Sequence, residues 1–129
     1  MRVKCLSNRM TLEQSQHLGV AQGIDFEYPF EIGGEYVVLG ISSKSGCNES
    51  VMFLMPYFYA LLAPSCLFEI IDERPSQYWR IKKRNGYDIE LWPEEFYGDY
   101  FFDDLTDRAE DAVKIYDNIV KKIEQEFEY

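Results

Sequence analysis

The sequence is poor in the residues on which most catalytic and metal sites depend. It holds one histidine, His17, and three cysteines, Cys5, Cys47 and Cys66, in 129 residues. No serine, cysteine or acid stands at a recognisable spacing from His17, so neither a nucleophilic triad nor a histidine-based metal site can be built on it. An odd number of cysteines with no Cys-x-x-Cys pair argues against a disulfide framework, zinc binding and thiol redox chemistry, and for free thiols in a reducing cytoplasm. Gly33-Gly34 stands alone before a strand, so there is no glycine-rich phosphate loop. Acids are dense enough that paired carboxylates carry no acid/base signal. The reading is a protein that is not an enzyme, with no cofactor and no bound metal.

Positive charge is the second shortage. Thirteen lysines and arginines face 23 acids, a formal net charge of −10. Nucleic acid and anionic membranes both reward positive charge, so neither is expected as a partner, and a basic protein is. Long apolar runs are also missing. Residues 50–68 carry no charge, but Pro56 and Pro64 interrupt them and Tyr57 and Tyr59 dilute them, so they read as two buried strands rather than a membrane span. The first ten residues lack the apolar centre of a secretory signal, which makes the cytoplasm the expected compartment.

What is present is a core-forming composition, 47 % hydrophobic and 16 % aromatic. The expectation is one domain over residues 1–129, β-rich to residue 91 and acidic and helical from residue 92. Residues 2–6 read as a first strand and residues 7–25 as a long loop, with Thr11 capping a turn or two of helix. Residues 35–42 read as one strand, 43–50 as a polar hairpin loop, and 51–55 and 58–62 as strands apolar on both faces. Residues 67–71 and 78–81 follow. Asn85-Gly86 between two β-prone runs signals a hairpin. Residues 107–126 form the clearest helix, because Ala109, Ala112, Val113, Tyr116, Ile119, Val120, Ile123 and Phe127 recur at helical spacing, and Asp107 and Glu110 spell an Asp-x-x-Glu capping box. Trp79 is expected to be buried between the strands and this helix.

Phe30-Glu31-Ile32-Gly33-Gly34-Glu35-Tyr36-Val37-Val38-Leu39 is similar to the diverging-turn region of SH3-like barrels. Ala63-Pro64-Ser65-Cys66-Leu67-Phe68-Glu69-Ile70 resembles the Pro-Ser 3₁₀ turn before their last strand. The resemblance implies an α+β fold in which a small SH3-like antiparallel barrel or sheet packs against a C-terminal amphipathic helix. It also implies, as an alternative role, an SH3-like protein-binding adaptor.

The most distinctive stretch is residues 94–111, EEFYGDYFFDDLTDRAED, with eight acids and one base interleaved with aromatics. Its Asp103-Asp104-Leu105-Thr106-Asp107 segment spells a DDxxD magnesium motif, but a β-rich chain of this size lacks the helical cavity and basic residues that chemistry needs. Holding like charges close together is electrostatically costly, whereas acid beside tyrosine imitates a nucleic-acid backbone with flanking stacking groups. The expected partner-binding residues are therefore Glu94, Glu95, Tyr97, Asp99, Tyr100, Asp103, Asp104, Asp107 and Asp111. In its general character the chain resembles small acidic bacterial immunity proteins. That resemblance implies an antitoxin that neutralises a cognate basic toxin, a nuclease in particular.

Overall fold

The computed structural model describes residues 1–18, 25–44, 50–84, 86 and 88–128. The expected loop at 43–50, Gly19, Gly23, Cys47 and Asn85 fall wholly or mainly outside these. Among the described residues, eight strands and three helices follow one another as β1 (Arg2–Cys5), α1 (Leu12–Leu18), β2 (Glu35–Val37), β3 (Gly40–Lys44), β4 (Ser50–Pro56), β5 (Ala60–Pro64), β6 (Phe68–Asp72), β7 (Trp79–Arg84), β8 (Asp88–Pro93), α2 (Phe101–Thr106) and α3 (Glu110–Glu126). Short 3₁₀ turns, Ser65–Leu67 and Glu94–Tyr97, precede β6 and follow β8. The fold is mixed α+β.

The strands form two antiparallel sheets, one ordered β2-β1-β6 and the other β5-β4-β3-β8-β7. Both are open, and they do not close into one barrel. The run expected as a single strand over 35–42 is divided between them. The amide of Val38 donates to the Met1 carbonyl in the first sheet, at 3.0 Å, while that of Leu39 donates to Leu54 in the second, at 2.8 Å. The chain thus changes partners between adjacent residues. Gly40 stands just after this crossing because a Cβ there would lie 2.6 Å from Cδ1 of Trp92 and 2.9 Å from the Leu91 carbonyl.

Alternation along β4 gives the molecule two cores. Phe53 and Met55 join Val3, Cys5, Phe30, Leu67 and Trp79 in the first, whereas Leu54 points the other way into the second, with Trp92, Phe96, Leu105, Tyr116 and Ile123. Both faces of this strand are covered, which accounts for its continuous apolarity. Trp79 is buried as expected, but it belongs to the first core rather than to the one beneath α3, and its indole Nε1–H donates to the Leu39 carbonyl at 2.9 Å. The reason is parity: Arg80, beside Trp92 in the ladder, takes the helix-facing side, so Trp79 takes the opposite one.

Helix α3 buries Ala112, Tyr116, Ile119 and Ile123, with Val113 and Val120 half-buried beside them. Each fully buried large aliphatic or aromatic side chain of this kind contributes about 1.5 to 3 kcal/mol, which suffices to dock the helix. Its start differs from expectation. Ala109 is the N-cap, no side chain caps the helix, and Asp107 instead ends α2 with its amide on the Asp103 carbonyl. The cause is the separate helix α2, whose Schellman ending uses the same residues: the Arg108 amide donates to Leu105 and that of Ala109 to Asp104, with Arg108 left-handed at φ 60°. At the other end of the chain, α1 carries the expected cap, Thr11 and Gln14 exchanging side chain to backbone bonds at 3.1 and 2.9 Å.

Candidate functional site

The acidic stretch is a sequence of short, tightly folded pieces. Pro93 leads β8 into the 3₁₀ turn, Gly98 ends that turn, and α2 begins three residues later. Phe96, Phe101 and Leu105 are its buried anchors, and the Phe96 ring stacks on Phe101 at 5.2 Å and on Tyr116 of α3 at 6.1 Å. With these side chains inward and Tyr97 and Phe102 half-buried beside them, the acidic residues between them face solvent. Glu94, Glu95, Asp99, Asp103, Asp104, Asp107 and Asp111 are all exposed.

Most of that charge is uncompensated. Glu94 pairs with Lys82 of β7 at 3.4 Å. Among the described residues, Glu95, Asp99, Asp103, Asp104, Asp107 and Asp111 have no ion-pair partner within 4.0 Å. A recess of about 270 Å³ brings Tyr97, Asp99, Tyr100 and Asp103 together around Trp92 and Phe102. Asp107 at the end of α2 and Asp111 in the first turn of α3 do not line it.

The two tyrosines expected to act alike do different things. Tyr97 is built into the scaffold: its hydroxyl donates toward the carbonyls of Arg80 at 2.8 Å and Glu90 at 3.1 Å and accepts the Trp92 amide at 3.2 Å. Its ring stacks on Trp92 at 5.2 Å and lies under Lys82 Nζ at 4.3 Å. Tyr97 therefore ties β7, β8 and the 3₁₀ turn together and is a poor candidate for a free anchor. Tyr100 is 75 % exposed and sits at φ 63°, immediately before α2. A bulky residue in the left-handed region costs about 1 to 2 kcal/mol relative to glycine, so the fold holds this ring in solvent against a local penalty.

A second aromatic group, Tyr57, Phe58 and Tyr59, lies in the turn between β4 and β5, although Phe58 and Tyr59 were expected in the strand over 58–62. Phe58 is 71 % exposed there, flanked by Tyr57 and Tyr59 with ring centroids of Phe58 and Tyr59 4.9 and 5.6 Å from that of Tyr57. The turn is held from beneath. Arg108 Nη1 donates to the Phe58 carbonyl at 2.7 Å, and the Tyr116 hydroxyl lies 3.1 Å from the Tyr57 amide and from the carbonyls of Tyr57 and Tyr59. Burial pushes the Tyr116 phenol up to about 12. Pro56 was the signal for this turn, because proline has no amide to donate to a ladder and is confined to strand ends and edges.

Among the described residues no three histidine, cysteine, aspartate or glutamate side chains are grouped as they would be to hold an ion, and no helix is long and apolar enough to cross a membrane. The surface presents exposed carboxylates, Asp99 and Asp103 among them, beside a solvent-facing tyrosine, Tyr100. Compared with family models, curated proteins and solved structures, the chain finds no match.

Proposed function

We propose that this protein is an immunity-type antitoxin that binds and neutralises a basic toxin, a nuclease in particular, through the acidic surface of residues 94–111. The observation that carries this reading is Tyr100, held 75 % exposed at positive φ among carboxylates that have no internal partner among the described residues. Backbone strain retained at an exposed aromatic is the pattern of a pre-organised contact, and the surrounding acids would steer a basic partner and fix its orientation. On this reading the protein has no catalytic role, acts in the cytoplasm and takes no nucleic acid or cofactor. Tyr100, Asp99, Asp103 and Asp104 form the centre of contact, with Glu94, Glu95, Asp107 and Asp111 contributing field and Tyr97 supporting them from below.

The order of β1 to β6 supports an SH3-like origin for the scaffold. A long connection follows β1, β1 pairs with both β2 and β6, and a Pro64-led 3₁₀ turn precedes β6. An adaptor function through the loops that join the strands is the second reading, favoured by the exposed aromatic turn at Phe58. Affinity capture from the native cell separates the two. The inhibitor reading requires a basic captured protein whose toxic activity falls with a stoichiometric endpoint, and whose association is lost in Asp103→Lys, Asp104→Lys protein. A partner that ignores this double reversal and added salt, yet is lost in Phe58→Ala, favours the adaptor.

A further inference from the structure

A cavity of about 440 Å³ opens between α2 and the helix-facing side of the five-stranded sheet. That volume is within the roughly 300 to 1,000 Å³ typical of sites that enclose an organic group. Leu54, Leu62, Trp92 and Phe102 give it apolar and aromatic walls, while Asp88 and Glu90 place two carboxylates on the same face of β8 as Trp92. Glu90 is only 5 % exposed. Apolar walls ending in a buried acid complement a cation on an aliphatic stem: the stem gains burial, the charge gains a carboxylate in a low-dielectric site, and the rings add cation–π attraction. Neither acid has to be unpaired for this, because a carboxylate has about four lone-pair sites and one internal partner does not exhaust them.

We infer that this cavity receives the guanidinium or ammonium end of an arginine or lysine side chain supplied by the basic partner, with Glu90 as the charge acceptor. The inference rests on the proposed function and deepens it, since α2 carries both Asp103 and Asp104 on the acidic surface and Phe102, Leu105 and Thr106 on the cavity wall. A partner resting on the former is beside the mouth of the latter.

The cavity is testable in the free protein by titration with n-butylguanidinium, its neutral isostere n-butylurea, and a capped Gly-Arg-Gly peptide, followed by indole N–H resonances. Trp92 Nε1–H donates to Ser42 Oγ at 3.1 Å beside the cavity, whereas Trp79 lies in the other core and serves as the internal reference. The Trp92 signal should move saturably with both guanidinium probes while Trp79 stays still. Glu90→Gln should weaken n-butylguanidinium about tenfold or more, the range for a lost charge-assisted hydrogen bond. Thr106→Phe, at an exposed wall position, should block it with the fold intact. Equal binding of the urea, an unmoved Trp92 signal, or an undiminished response in Thr106→Phe would overturn the site. Binding of n-butylguanidinium with exclusion of the peptide would overturn the partner side chain as its occupant. Asp103 and Asp104 lie outside the cavity, so their reversal to lysine should leave this titration unchanged. Unaltered partner affinity in that reversal, with the titration intact, would count against the acidic surface alone.

Discussion

Replacing Tyr116 with phenylalanine tests how the aromatic turn is held, because it deletes one oxygen from a ring that is 3 % exposed and leaves the packing of α3 in place. The hydroxyl accepts the Tyr57 amide and can donate to the carbonyl of Tyr57 or Tyr59, each at 3.1 Å. Two hydrogen bonds at a net of about 0.5 to 1.5 kcal/mol each place the loss at roughly 1 to 3 kcal/mol near neutral pH. The pH dependence carries a second, opposite signature. Burial raises the Tyr116 phenol to about 12, against about 10 in the unfolded chain, so the folded state holds its proton more tightly. That contribution is complete below about pH 10 and is lost as pH climbs through the folded value, by about 1 kcal/mol at pH 11 and 2 to 3 kcal/mol well above 12. The Tyr116→Phe protein has no phenolic proton to lose at this position. Urea unfolding followed by tryptophan fluorescence should therefore show wild type ahead at about pH 7 and its lead shrinking by about 1 kcal/mol at pH 11. Burial also raises Cys5, Tyr28 and Cys66, but these groups are common to both proteins and cancel in the difference. A lead that is absent at neutral pH, or constant across this range, would refute the bonded, buried hydroxyl.

Tyr100→Asn should raise stability by about 0.5 to 1 kcal/mol in the same unfolding assay, because asparagine tolerates the left-handed region better, while removing the ring proposed to meet the partner. Tyr97→Phe should do the reverse, costing about 1 to 2 kcal/mol through the bonds its hydroxyl makes across β7 and β8. Trp79→Ala should cost about 3 to 5 kcal/mol and leave α3 docked by circular dichroism, since this indole fills the first core. Reversal of Asp103 and Asp104 to lysine should slow association with the captured partner and flatten its salt dependence, measured by surface-based kinetics, with little change in unfolding midpoint because neither carboxylate has an ion-pair partner among the described residues.

Local chemistry, which the sequence carries on its face, determined the helical stripe of α3, the cap of α1 by Thr11 and Gln14, the Pro64-Ser65 turn before β6, and the strands flanking Gly86. Each depends on residues within a few positions of one another, so periodicity and capping rules reach them. The concentration of negative charge in the last third was legible for the same reason: composition needs no contacts. Tertiary structure decided the rest. Whether residues 35–42 stay in one sheet depended on what Val38 and Leu39 meet, namely Met1 and Leu54, which lie far away in the chain. Asp107 lost its capping role because the buried anchors Phe101 and Leu105 folded α2 just ahead of it and its ending consumed the same residues. Trp79 faced the first core because strand parity gave the helix side to Arg80. Tyr97 and Tyr100 look equivalent in sequence, three residues apart in an acidic run, yet one hydroxyl found three backbone partners on β7 and β8 and the other, among the described residues, found none. Hydrogen-bond satisfaction across strands distant in sequence is what separates a structural tyrosine from a presented one, and no local pattern encodes it.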